Sequence, residues 1–175
     1  METLTFPVDR STCQASFDWH FVREIVLIEK GPSRAASRTR LTLAADPYME
    51  RGLGHYSSGL LLEIGKQLGK ATVQAAWPMP GPIRYMLRDL QITFSAYTLL
   101  DASYEVTCDC EITILATKDG APSTGAALIH VRQGGVTTTE IRFTTTVLAP
   151  ERERALEART RAARSRAKTA TRSPA

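Results

Sequence analysis

The chain has 175 residues, 43% of them hydrophobic, with 22 Lys and Arg against 18 Asp and Glu, a net charge of +4. That fits one globular domain with a core of its own, plus a tail. The charge is uneven: residues 151–175 hold eight basic and three acidic residues, a net +5, leaving the first 150 near −1. A nucleic-acid partner, which needs a basic face on the folded part, is therefore not expected.

The N-terminus METLTFPVDR has neither a basic start nor an apolar h-region, and no run approaches about 20 apolar residues. A cytoplasmic protein with no membrane partner is expected. Phe21 to Glu29 is rich in β-branched residues and predicts a strand. The following GPSRAAS reads as a loop by composition, and Arg38 to Ala45 alternates as a second strand, ended by Asp46-Pro47. From Gly59 the chain predicts a long helix that stops before Pro78, with Leu60, Ile64, Leu68 and Ala71 at helical spacing. Leu61 and Leu62 widen its apolar surface, and Glu63, Gln67, Lys70 and Gln74 form one narrow polar line. Ser57 or Ser58 is the expected N-cap. Gly65 and Gly69 weaken the helix but permit close packing. Such a helix is suited to being wrapped by a sheet.

Everything after the turn-rich WPMPGP reads as strand. Ile83 to Phe94 is one. In the run from Tyr104, residues Tyr104, Val106, Cys108, Cys110, Ile112 and Ile114 share a face, with Glu105, Thr107, Asp109, Glu111 and Thr113 opposite. Lys118-Asp119-Gly120 and Gln133-Gly134-Gly135 are hairpin turns bounding a strand from Gly125 to Arg132, and Val136 to Leu148 is the last strand. Cys13, Cys108 and Cys110 do not form a disulfide framework, and no further ligands stand near the last two, so packing is expected there and no metal. No cofactor is expected either. Two strands, one apolar helix and four strands predict an α+β hotdog fold, an antiparallel sheet wrapped around one central helix. Residues 1–150 form that single domain. Residues 151–175 are a basic tail, helical at most over its first dozen residues and otherwise disordered.

The chemistry-bearing segment is GHYSSGLLLEIGKQ, Gly54 to Gln67. It sets His55 in a loop before the helix, Glu63 in the second turn and Gln67 one turn later. A helix start offers backbone N–H groups and a positive dipole end that polarise a carbonyl. A histidine removes a proton; a carboxylate donates one to a leaving hydroxyl or orients a water. The plainer readings are a solvated polar line for Glu63 and Gln67, and loop packing for His55. Packing is likewise the reading of His20, beside aromatics in FDWHF, and of His130 in its strand.

His55, the small residues after it, the Leu-rich run, Glu63 and Gln67 resemble the A-factor synthase-like family of hotdog domains. Val22 to Glu29 and Met86 to Phe94 are similar to strands of that family, so that the resemblance spans roughly residues 17–148. Lys66 stands where the family has Arg, and one domain where its synthases have two. The pattern also looks like the hotdog β-hydroxyacyl-carrier-protein dehydratases. The resemblance implies an enzyme on acyl thioesters carried by acyl carrier protein or coenzyme A. Dehydration of a β-hydroxyacyl group in polyketide- or fatty-acid-like secondary metabolism leads, with β-ketoacyl transfer of the γ-butyrolactone type or hydrolysis, or a non-catalytic partner subunit, as alternatives. His55, Glu63 and Gln67 are then the catalytic set, and Tyr56, Ser58, Gly59 and Lys66 the substrate-binding set. A lone hotdog leaves a sheet edge bare, so a homodimer, or a heterodimer with another hotdog protein, is expected.

Overall fold

The computed structural model describes residues 4–10, 20–41, 54–79, 84–101, 103–148, 154–155 and 157–163. Strands β1 (Leu4–Pro7), β2 (Glu24–Lys30) and β3 (Arg34–Leu41) precede helix α1 (Ser58–Ala76); β4 (Arg84–Phe94), β5 (Val106–Lys118), β6 (Ala121–Gln133) and β7 (Val136–Leu148) follow it. They form one sheet in the order β1-β2-β3-β5-β6-β7-β4. Every neighbouring pair is antiparallel. The apolar helix lies on one face of this sheet, which is the hotdog fold.

The predicted order of elements is present, with corrections at the front. The GPSRAAS segment is a loop only at its start, because β3 begins at Arg34. Ala35, Ser37, Thr39 and Leu41 of that strand alternate inward and are nearly inaccessible. They are mostly small, so composition resembles a loop while the alternation is that of a strand packed under a helix. Ser37 shows the closeness: its Oγ lies 2.6 Å from Thr72 Oγ1 on α1. The edge strand β1, paired with β2 from Leu4 to Pro7, is a seventh strand that its four residues did not signal. The expected extension of the second strand to Ala45, and its end at Asp46-Pro47, lie outside the described residues.

Helix α1 is capped as expected. Ser57 Oγ accepts from the Leu60 amide at 3.2 Å. At the other end Trp77 donates to Val73 O, and Pro78 has no amide to continue the ladder. Leu60, Leu61, Ile64 and Leu68 are all at or below 1% exposure, and burying each is worth about 1.5–3 kcal/mol. The two helix glycines let the sheet come close. A Cβ on Gly65 would stand 3.2 Å from Ile141 Cδ1 and 3.3 Å from Ile129 Cδ1, and one on Gly69 3.0 Å from Phe143 Cζ.

Strands β5, β6 and β7 are joined by two-residue turns. Asp119 and Gly120 have φ of 52° and 76°, Gly134 and Gly135 of 57° and 83°, the double left-handed geometry that a tight hairpin needs. Cys108 and Cys110 face the helix and are buried; Tyr104, expected on that face, is 52% exposed just before β5 begins. The opposite face carries cross-strand polar pairs, among them the ion pair of Arg38 with Asp109 at 2.5 Å and the hydrogen bond of His130 with Glu140 at 3.2 Å. His130 thus has the structural role expected of it. Of the tail, residues 157–163 are helical and exposed, with Glu157 paired to Arg161; residues 164–175 lie outside the described residues, as does Cys13. Among the described residues, no helix is long and apolar enough to cross a membrane.

Candidate active site

Three turns of α1 hold the polar residues that the sequence singled out. Ser58 and Gly59, just past the Ser57 cap, are exposed at the open end of the helix. One turn on, the Glu63 side chain is only 15% exposed. Its Oε2 accepts from Lys66 Nζ at 2.5 Å and its Oε1 from Gln67 Nε2 at 3.1 Å. With both oxygens accepting, Glu63 is arranged as a hydrogen-bond acceptor.

Gln67 is completely buried. Its Oε1 accepts from the backbone amides of Phe21 at 2.9 Å and Val22 at 3.2 Å, and its Nε2 turns to Glu63. One side chain therefore ties the segment leading into β2 to the helix and fixes the direction of the Glu63 carboxylate. The solvated-line reading fails for Gln67.

His55 is held by a second set of contacts. Gly54, at φ 66°, bends the chain into a short bridge between His55 and Leu99. Leu100 N donates to Gly54 O and Tyr56 N to Thr98 O, each at 2.8 Å. Leu99 is gripped by Gln133, which accepts from its amide at 2.7 Å and donates to its carbonyl at 2.8 Å. The His55 ring lies 4.5 Å, centroid to centroid, from that of Tyr97. Tyr56 is 5% exposed and belongs to the core. Of the seven residues proposed from sequence, Glu63, Lys66 and Gln67 are thus joined in one cluster, while the backbone of His55 pairs with Leu99 and its ring lies against Tyr97, both in the loop after β4.

Lys66 also borders a cavity of about 90 Å³ between α1 and the sheet. Its walls include Gly69, Val73, Tyr85, Ile112 and Phe143, and Lys70 stands one turn beyond Lys66. Gly125 of β6 lines it as well. Burial pushes the Tyr85 phenol well above its ordinary value, so it stays a neutral donor. The sequence reading missed Tyr85, Phe143 and Gly125. Their signal was strand alternation on the face that carries Ile129 and Ile141, which marks core without distinguishing a cavity wall.

No protein-family model matches this chain, and no curated protein matches it. The chain is similar in structure to a thioesterase from Thermus thermophilus solved with coenzyme A and zinc, at 17% identity and a TM-score of 0.49 over 70% of this chain and 84% of that one. It is similar to a hypothetical thioesterase from Streptococcus pneumoniae solved with coenzyme A, at 11% identity and a TM-score of 0.46, over 70% and 84% of the two chains. A third similar structure is the PaaI protein of a phenylacetic acid degradation operon in Escherichia coli, at 14% identity and a TM-score of 0.45, over 70% and 82%.

Proposed function

We propose that this hotdog domain acts on acyl chains held as thioesters, and that Glu63 directs a water onto the thioester carbon. The observation that carries this reading is the Glu63 cluster. A mostly buried carboxylate accepts from Lys66 and Gln67, and Lys66 borders an apolar cavity suited to an acyl chain. Burying a carboxylate is costly, and its retention against Lys66, which borders that cavity, argues for use. A carboxylate that only accepts is suited to taking a proton from water, which leads to hydrolysis. Dehydration, the leading expectation from sequence, asks for a proton-donating acid and for His55 across the same substrate. The partners of Glu63, both of them donors, make it the second choice. Acyl transfer of the A-factor synthase type would use the same thioester, with an alcohol in place of the water.

The carrier is coenzyme A or an acyl carrier protein, and the exposed start of α1 at Ser58 and Gly59 is the place for the thioester carbonyl. A second copy, or another hotdog protein, covers the sheet beside β4. Leu87, Leu90 and Phe94 lie in register with helix-side residues of β7, yet are 41%, 41% and 53% exposed. Thiol release from a series of acyl-coenzyme A and acyl-carrier-protein thioesters, at acyl lengths from acetyl upward, tests the reading. Release above the uncatalysed rate for at least one is expected. No release from any of them, together with formation of an enoyl thioester from the β-hydroxyacyl member, would replace hydrolysis by dehydration.

A further inference from the structure

The wall of the cavity beside Lys66 is mostly apolar, with Val73, Ile112, Ile114, Phe143 and Val147 in it, yet the hydroxyl-bearing residues Tyr85 and Thr145 line it too. In the pairing of β4 with β7, Tyr85 stands opposite Val147 and Leu87 opposite Thr145. Thr145 is two residues beyond Phe143, whose ring approaches Gly69, so these positions face the helix. On the other side of β7 the partner of Thr145 is Gly125, and β6 therefore sets no side chain beside the threonine. Neither Tyr85 nor Thr145 has a hydrogen-bonded side chain among the described residues. The Tyr85 ring packs against the core, and burial keeps its phenol protonated. Enclosed tyrosine hydroxyls usually have a partner, and an unpaired donor in apolar surroundings costs free energy. An oxygen on a ligand in the cavity would be that partner.

Size and position say which part of a ligand reaches these hydroxyls. A volume of about 90 Å³ holds about three chain atoms, at about 30 Å³ for each, the share of one molecule in liquid water. It therefore takes the end of a chain. Gly69, in the helix wall of the cavity, lies six residues beyond Glu63, about 9 Å along α1 at a rise of about 1.5 Å per residue. An extended hydrocarbon with C–C bonds of about 1.5 Å advances about 1.3 Å per carbon, so about seven carbons cover that span. A plain alkyl end would leave both hydroxyls unpaired, and a carboxylate end would bring a charge into an apolar space. A keto or hydroxyl oxygen accepts from both at neither cost.

We propose that the acyl group carries an uncharged oxygen about seven carbons from the thioester, and that Tyr85 and Thr145 are the specificity-determining residues that bind it; this rests on the thioester reading above.

Paired substrates test this on the full chain. For the wild-type protein, kcat/KM with 7-oxooctanoyl- or 7-hydroxyoctanoyl-coenzyme A should exceed that with octanoyl-coenzyme A by about tenfold, because the plain chain leaves the hydroxyls unpaired. Tyr85→Phe should cut that ratio by about threefold or more, and Tyr85→Phe combined with Thr145→Val should bring it to about one. A purely structural role would change the melting temperature and leave the ratio alone. Equal kcat/KM for the three substrates in the wild-type protein, an unchanged ratio in the variants, or a preference for octanedioyl-coenzyme A, which ends in a carboxylate, would overturn the proposal and leave the thioester reading standing. Binding is read apart from hydrolysis with 2-hexanone, the end of such a chain without the thioester, through the ring resonances of isotope-labelled Phe143. A saturable shift is expected, with an affinity about threefold weaker in Tyr85→Phe. Equal affinity in the two proteins, or no shift, would overturn the proposal. Binding of 2-hexanone as expected by a protein that cleaves none of these thioesters would remove the thioester reading and keep the cavity as the site of an oxygen-bearing chain.

Discussion

Gln67 is the residue on which the geometry of the site most depends, and replacing it by Leu isolates that dependence. Leucine fills nearly the same volume and suits a helix at least as well, so no cavity and no propensity penalty is introduced. What disappears is the acceptor for the Phe21 and Val22 amides, at 2.9 and 3.2 Å, and the donor to Glu63 at 3.1 Å. Gln67 is 0% exposed, so water does not replace it at once. Each amide that loses a buried acceptor costs about 1–3 kcal/mol, which puts the variant about 3 kcal/mol or more below wild type. For a domain of this size that lowers the melting temperature by about 6–12 °C. Urea denaturation followed by circular dichroism reads the free energy, and the transition midpoint should fall with an unchanged slope. A loss under about 1 kcal/mol would refute the reasoning, because the segment before β2 would then be held by something other than this side chain.

Gly65→Val should destabilise by about 1–3 kcal/mol, since its Cβ alone would stand 3.2 and 3.3 Å from Ile141 and Ile129, and an unchanged melting temperature would show that the sheet yields there. The buried cysteines predict alkaline sensitivity. Burial pushes the Cys110 thiol from 9.0 up to about 12, and the Cys108 thiol also rises. Above pH 9 the unfolded chain loses these protons while the folded one keeps them, so their contribution is full below that pH and stability falls as pH rises towards 12. The melting temperature between pH 9 and 11 should therefore fall less steeply in a Cys108→Ala, Cys110→Ala double variant; equal slopes would contradict it.

Much of the fold was legible because period and punctuation agree. The last strand, Val136–Leu148, and both glycine-bearing hairpins stand where alternation and left-handed turn residues put them. The helix was legible from its cap to Trp77 because Ser57 and Pro78 bracket an apolar run. Strand β3 was read two ways, since Ala35 and Ser37 are small in order to lie under α1, and small residues resemble a loop in composition. In the site, the alignment of Glu63 with Gln67 followed from helical spacing, whereas Lys66 entered only through the family resemblance. The role of Gln67 did not follow, because its partners Phe21 and Val22 are 46 and 45 residues away in the chain. The bridge from His55 to Leu99, 44 residues further on, was equally hidden.

The central claim is that Glu63 activates water against a thioester, and Glu63→Gln tests it most directly. The variant keeps the size of the side chain and an acceptor oxygen, while the proton-accepting group is gone. On whichever acyl thioester the wild-type protein hydrolyses fastest, thiol release should fall by about 10²–10⁴, with the melting temperature nearly unchanged. Thiol release by Glu63→Gln at the wild-type rate, from a protein shown to be folded, would contradict the account and leave this domain as an acyl-binding partner subunit.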